Sequence, residues 1–148
     1  MPGLPRLSAI LMELAQTAFV KPKAIPSSEA AHAALLFAQV AWNRTLGHET
    51  DGYQSLLKVF INENPKLWSE LRSRDPETHI NTMSQVKARR YPEDVRVIVV
   101  SGIRGGKVHV EWCDAKDYAQ ASELARKRLD LEYGKGCHIR REKIISKI

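Results

Sequence analysis

Several groups of residues in this chain carry types that could do chemistry, and their spacing decides how far each can be taken. Gly102-Ile103-Arg104-Gly105-Gly106-Lys107 has the glycines and the lysine of a phosphate-cradling loop. Such a loop needs four residues before its Gly-Lys pair, a hydroxyl after the lysine to hold magnesium, and a helix N-terminus behind it. Here three residues intervene, Val108 follows the lysine, and the chain continues as alternating apolar and polar residues. The segment is predicted to be the connection of a β-hairpin. A second group, His109, Cys113, Cys137 and His138, has the types that bind zinc. Adjacent Cys137 and His138 point apart in an extended chain, and no C-x-x-C pair anchors either end, so no metal and no other cofactor is expected.

Nucleophilic chemistry finds no local signature. Ser27, Ser28, Ser101 and the two cysteines lack the strand-to-helix elbow that exposes a nucleophile. Asp114 and Asp117 read as a helix cap and a first-turn acid, positions the helix dipole favours by itself. No catalytic residue is assigned.

The basic residues are more informative. Residues 1–84 hold eight Lys and Arg against eight Asp and Glu, whereas residues 85–148 hold fifteen against nine, so the whole net charge of +6 lies in the second part. An imbalance of that kind favours an anionic partner. Arg126-Lys127-Arg128 is discounted, because Glu123–Lys127, Arg126–Asp130 and Arg128–Glu132 stand at intrahelical ion-pair spacing. Arg140, Arg141 and Lys143 in the tail face only Glu142 nearby. Arg104 and Lys107 flank the hairpin connection, and Arg89 and Arg90 end a helix. These seven residues are the candidate nucleic-acid contacts. The tail carries no aromatic residues for base stacking, and no helix-turn-helix, zinc-finger or RNA-recognition signature is present.

A further candidate lies in the first half. His32, Gln39 and Asn43 are spaced seven and four residues apart in an otherwise apolar stretch. At about 100° per residue they share a helical stripe about 40° wide. The stripe is expected to reach water or to hydrogen-bond a neighbouring helix; its alternative use is as a ligand-facing pocket lining.

The elements that must position these residues follow from pattern. The composition, 43% hydrophobic and 27% charged, is that of a folded chain. Leu7, Ile10, Leu11, Leu14 and Ala18 predict a helix over Pro5 to Phe19. Ser27 or Ser28 then caps a long, nearly all-apolar helix that stops at Gly47. Tyr53, Leu56, Leu57 and Phe60 predict a third helix, Leu67, Trp68 and Leu71 a short fourth, and Ile80, Met83 and Val86 a fifth that ends before Pro92. Val95 to Ser101 is apolar on both faces, as an inner strand should be, and Lys107 to Cys113 alternates like a half-buried one. Asp114 is expected to cap a sixth helix through Ala121 and Leu129, and Lys143 to Ile148 is expected either to supply the second neighbour of the inner strand or to be a frayed basic tail.

The expected fold is α+β in one domain, 1–148: about five helices over 1–92, then a hairpin, a packed helix and a basic tail over 93–148. Its core should form around Phe37, Val40 and Ala41, with Leu14, Phe60, Val97 and Val110. The Leu7–Val20 stretch is broken by Glu13 and Gln16, unlike a secretion signal, and Ala30–Trp42 is shorter than the roughly 20 residues of a membrane span. A cytoplasmic location without membrane partners is expected. The expected function is non-catalytic binding of nucleic acid or an acidic protein by the basic half; the alternative is a small enzyme whose site is assembled from residues distant in sequence.

Overall fold

The structure, a computed structural model, describes residues 5–21, 26–48, 65–127, 140–141 and 146–147. Helix α1 spans Leu7–Gln16, and its recurring apolar residues Leu7, Ile10, Leu11 and Leu14 are all buried. Its exit is tied down by a short antiparallel contact. Phe19 bridges Leu71, Val20 donates its N–H to the Glu70 carbonyl at 2.8 Å, and Arg72 returns one to Ala18 at 2.9 Å. This contact delivers the Glu70 side chain to the start of helix α2, Ser28–Thr45. The Glu70 carboxylate accepts from Ser27 N–H at 2.8 Å and from Ser27 Oγ at 2.5 Å, while Ser27 Oγ accepts from Ala30 N–H at 3.2 Å. Orphan donors at the helix N-terminus are satisfied and a negative charge sits at its positive end. The helix stops at Gly47, whose φ of +84° suits a residue without Cβ.

A 3-10 turn over Pro65–Ser69 precedes helix α3, Pro76–Arg90. Asp75 caps α3 by accepting from Glu77 N–H at 3.2 Å, and Pro76 occupies a position where a missing N–H costs nothing. Strand β1, Val97–Arg104, pairs antiparallel with β2, Lys107–Cys113, through a two-residue turn. Gly105 and Gly106 have φ of +57° and +73°, the pair of left-handed residues that a tight twisted hairpin requires. After β2 a 3-10 turn over Ala115–Asp117 leads into helix α4, Tyr118–Lys127. The two-residue segments β3, Arg140–Arg141, and β4, Ser146–Lys147, each pair antiparallel with β2.

The hairpin separates two apolar clusters. Ile98, Val108 and Val110 join α1, α2 and α3 in the larger, while Val99 and Cys113 pack with Ala121 of α4 in the smaller. Phe37, Val40 and Ala41 are buried in the larger cluster with Leu14 and Val110, and Val97 is buried opposite Cys113. The α+β mixture read from the sequence is present. Among the described residues, no helix is long and apolar enough to cross a membrane.

The details differ from expectation in four places. The predicted third helix, with Phe60, lies outside the described residues, and the fourth is only a 3-10 turn, so among the described residues the N-terminal part has three α-helices. Strand β1 is shifted two residues along: Val95 is exposed, whereas Gly102 and Ile103 belong to the strand. Glycine inside a strand resembles a turn signal, and here it stands opposite His109 in register. The flanked strand is β2, not the more apolar β1; β1 is apolar because helices cover both its faces. Asp114 makes no side-chain cap, since a 3-10 turn intervenes before α4.

Phe37 has no exposed surface and stacks on His79, centroids 5.1 Å apart. Phe37→Ala should therefore cost about 3–5 kcal/mol, read as a large fall in denaturation midpoint; a variant melting within a degree or two of the parent would contradict this packing.

Candidate functional site

The polar stripe of α2 is brought against the backbone of β1. Asn43 lies one turn beyond Gln39, and both are buried. Asn43 Nδ2 donates to the Ile98 carbonyl at 2.8 Å, and Ile98 N–H donates to Asn43 Oδ1 at 2.9 Å. One side-chain amide thus takes both polar groups of a strand residue, as a neighbouring strand would. Gln39 Nε2 reaches the Val99 carbonyl at 3.5 Å, and Gln39 Oε1 accepts from Ser101 Oγ at 2.5 Å. Trp42 completes the seam by donating Nε1–H to the Arg96 carbonyl at 2.6 Å. His32 does not join it. His32 is half-exposed and its Nδ1 donates to Ser28 of its own helix at 2.8 Å.

Beside this seam lies a charged cluster that the sequence reading missed. Asp94 and Arg96 are both buried and form a two-point ion pair, Nε to Oδ1 at 3.0 Å and Nη2 to Oδ2 at 2.6 Å. Arg96 Nη2 also donates to the Pro5 carbonyl at 2.8 Å, fixing the chain ahead of α1, and its guanidinium lies 5.5 Å from the centre of the Trp112 ring. Lys87 is buried too. Its Nζ donates to the carbonyls of Tyr91 at 3.1 Å and Asp94 at 2.8 Å, and sits 4.7 Å over the Trp42 ring. Burial pushes the Lys87 ammonium below the usual lysine range, and the Asp94 charge offsets part of that. No spacing rule picks out Lys87, because it sits at the cationic end of a helix where an exposed lysine is the ordinary case. The cluster joins the start of β1 to α1 and α3, and its polar groups are directed at protein partners.

The candidate basic residues divide by position. Arg104 and Lys107 are exposed and face each other across the hairpin turn, and Lys107 stands opposite Lys147 on its other side. Arg140 and Arg141 are placed by backbone register opposite Trp112 and Glu111, towards the other end of β2. Lys143 lies outside the described residues. Arg89 is exposed at the end of α3, whereas Arg90 is ion-paired with Glu13 and has its guanidinium 5.7 Å from the Tyr91 ring. Arg89 and Arg90 precede the start of β1, and Arg104 lies at its far end, so about 20 Å of strand separates the two groups.

Of the zinc-type residues, Cys113 is buried, and no group of three metal-ligating side chains forms among the described residues. Cys137 and His138 lie outside them. No family model matches the chain, and no curated protein or solved structure is significantly similar to it.

Two predictions come from this geometry. Asn43→Ala leaves Ile98 with a buried donor and acceptor unpaired at about 1–3 kcal/mol each, so roughly 2–5 kcal/mol of stability should be lost in chemical denaturation. His32→Ala should change little, and an equal loss at both positions would overturn the distinction drawn between them. The second concerns Lys87, whose folded pKa lies below its unfolded value of 10.5. Between those values the unfolded chain binds the extra proton, so stability rises with pH through that window. The melting temperature of the wild type relative to Lys87→Met should climb as pH is raised from about 7 towards 10. A gap that stays constant would show that burial of the ammonium carries no net penalty.

Proposed function

We propose that the chain is a single-domain, non-catalytic binding protein whose basic C-terminal half holds nucleic acid, with the tail serving as a third strand beside β2. The observation that carries this reading is the pairing of β3 and β4 with β2. That pairing sets Arg140, Arg141 and Lys147 on the same sheet as Arg104 and Lys107. Basic residues scattered along the second half of the sequence are thereby gathered on one sheet, Arg141 and Lys147 in register with residues on the Lys107 face and Arg140 in register with the core-side Trp112, and such gathering concentrates positive potential on a polyanion. The single-domain part of the reading is supported by the larger core, which contains residues from Leu7 to Val110 and so draws on both parts of the chain. No comparable observation favours the enzyme alternative, since the amides of Gln39 and Asn43 are engaged by β1 and His32 lies apart from them.

The test is nucleic-acid binding by fluorescence anisotropy at low salt, with the parent and an Arg140→Ala, Arg141→Ala, Lys143→Ala variant shown by circular dichroism to be folded. The variant should bind more weakly, and its log-affinity against log-salt slope should fall by about 2–3 if all three residues touch phosphates. Lys127→Ala should bind like the parent, because Glu123 stands at ion-pair spacing from Lys127. A parent that binds neither DNA nor RNA at low salt overturns the nucleic-acid reading, and binding to an acidic protein instead would move the surface to that partner class.

A further inference from the structure

We infer that the tip of the β1–β2 hairpin is a contact for the phosphodiester backbone, sensing the charge of a nucleic acid and not its bases. The inference rests on the basic-surface reading above and adds which residues meet the polyanion and what they meet. Arg104 and Lys107 are partners in the last register pair of the hairpin, and Lys147 is the partner of Lys107 on the other side. Three cationic residues therefore stand side by side on three adjacent strands spaced by about 4.8 Å. Like charges directly opposite one another destabilise a sheet. The hairpin tip supplies no acid of its own: Gly102 to His109 contains none. Among the described residues, no ion pair or hydrogen bond engages the side chains of Arg104 or Lys107. A row of negative charge laid across the turn would remove that repulsion.

The shape of the tip favours close approach by an extended anionic chain. Val108 is fully buried and Ile103 half-buried against the main core, so the strands are seated up to the turn and only Arg104 to Lys107 are exposed in succession. That short exposed run has no aromatic ring to stack on a base, and its only side chains beyond Cα are the two cations Arg104 and Lys107, which bind phosphate oxygens as well as guanine edges. Between the two cations, the positions where Gly105 and Gly106 would carry a Cβ meet no atom within 4 Å. A phosphate chain can thus approach the main chain closely while the flanking cations reach its oxygens. Contacts of that kind position a nucleic acid without selecting its sequence.

The experiment measures anisotropy with two DNA duplexes of unrelated sequence and equal length, a single-stranded RNA homopolymer, and polyglutamate, each over a range of salt. The proteins are the parent, Arg104→Ala with Lys107→Ala, and Lys107→Thr. The parent should bind both duplexes with affinities within about threefold of each other, far less than the discrimination of sequence-reading proteins. The double variant should lose about 1.4–1.8 from its salt slope, the share of two phosphate contacts. Lys107→Thr should melt at or above the parent temperature while binding nucleic acid more weakly, because it relieves the repulsion and removes a contact. A double variant that binds like the parent, while the tail variant does not, overturns the tip assignment and leaves the basic-surface reading standing. A strong preference for one duplex overturns backbone-only contact. Lowered melting of Lys107→Thr overturns the repulsion argument. Binding to polyglutamate but to no nucleic acid overturns both this inference and the nucleic-acid reading.

Discussion

The amide of Asn43, held against both polar groups of Ile98, is the interaction on which the rest of the arrangement depends. A strand apolar on both faces must be covered twice, and its outward N–H and C=O groups must also find partners. Here a helix supplies them. Trp42, Asn43 and Gln39 meet the backbone of Arg96, Ile98 and Val99 in turn, so α2 lies along β1 where another strand would otherwise be needed. The bulge between Ile98 and Val100 falls at the same place. An extra residue there re-aims the strand, and Ile98 then faces the main core while Val99 and Val100 pack on the side of α4.

Because α2 carries that seam, its own placement must be tightly specified, and each end is anchored by a side chain distant in sequence. Glu70 holds the N-terminal Ser27, and Arg44 in the last turn makes a two-point pair with Glu77 of α3 at 2.9 and 3.2 Å. Lys87, Asp94 and Arg96 then fix where β1 begins relative to α1 and α3. A buried ion pair of this kind contributes little net stability, since desolvation offsets the attraction, but breaking it leaves an uncompensated charge and is strongly unfavourable. Its effect is to make alternative placements of the strand costly.

Much of this was legible in the residues. The caps and stops of α2 and α3, the glycine turn and the alternation of β2 all rest on local rules, and each appears where Ser27, Asp75, Gly105 and Val108 put it. The polar stripe of α2 was visible as a stripe, but its partner was not, because nothing in Gln39 or Asn43 names a strand 55 residues or more away. For the same reason β1 was read as an inner strand. Its apolar character reports burial, and sequence alone does not distinguish a strand from a helix as the covering element. Lys87 and the Asp94–Arg96 pair were invisible because their burial is wholly a property of tertiary packing.

The handling of charge separates the two ends of the sheet. At the start of β1, every cation near the core has an acceptor: Arg96 has Asp94, Arg90 has Glu13, and Lys87 has two carbonyls. Arg72, at the exit of α1, is given the Phe19 carbonyl at 2.8 Å. At the turn, about 20 Å further along the strand, Arg104 and Lys107 stand opposite each other with a third cation in register and no acid in the segment Gly102 to His109. Edge charges protect a sheet from pairing with another copy, but Lys107 lies on the flanked strand β2, where no edge needs protecting. A row of three across neighbouring strands exceeds what protection requires and works against the sheet that carries it. The same fold that gives Arg96, Arg90, Lys87 and Arg72 an acceptor each leaves Arg104 and Lys107 without an ion pair among the described residues, and that contrast is what sets the turn apart from the start of the strand.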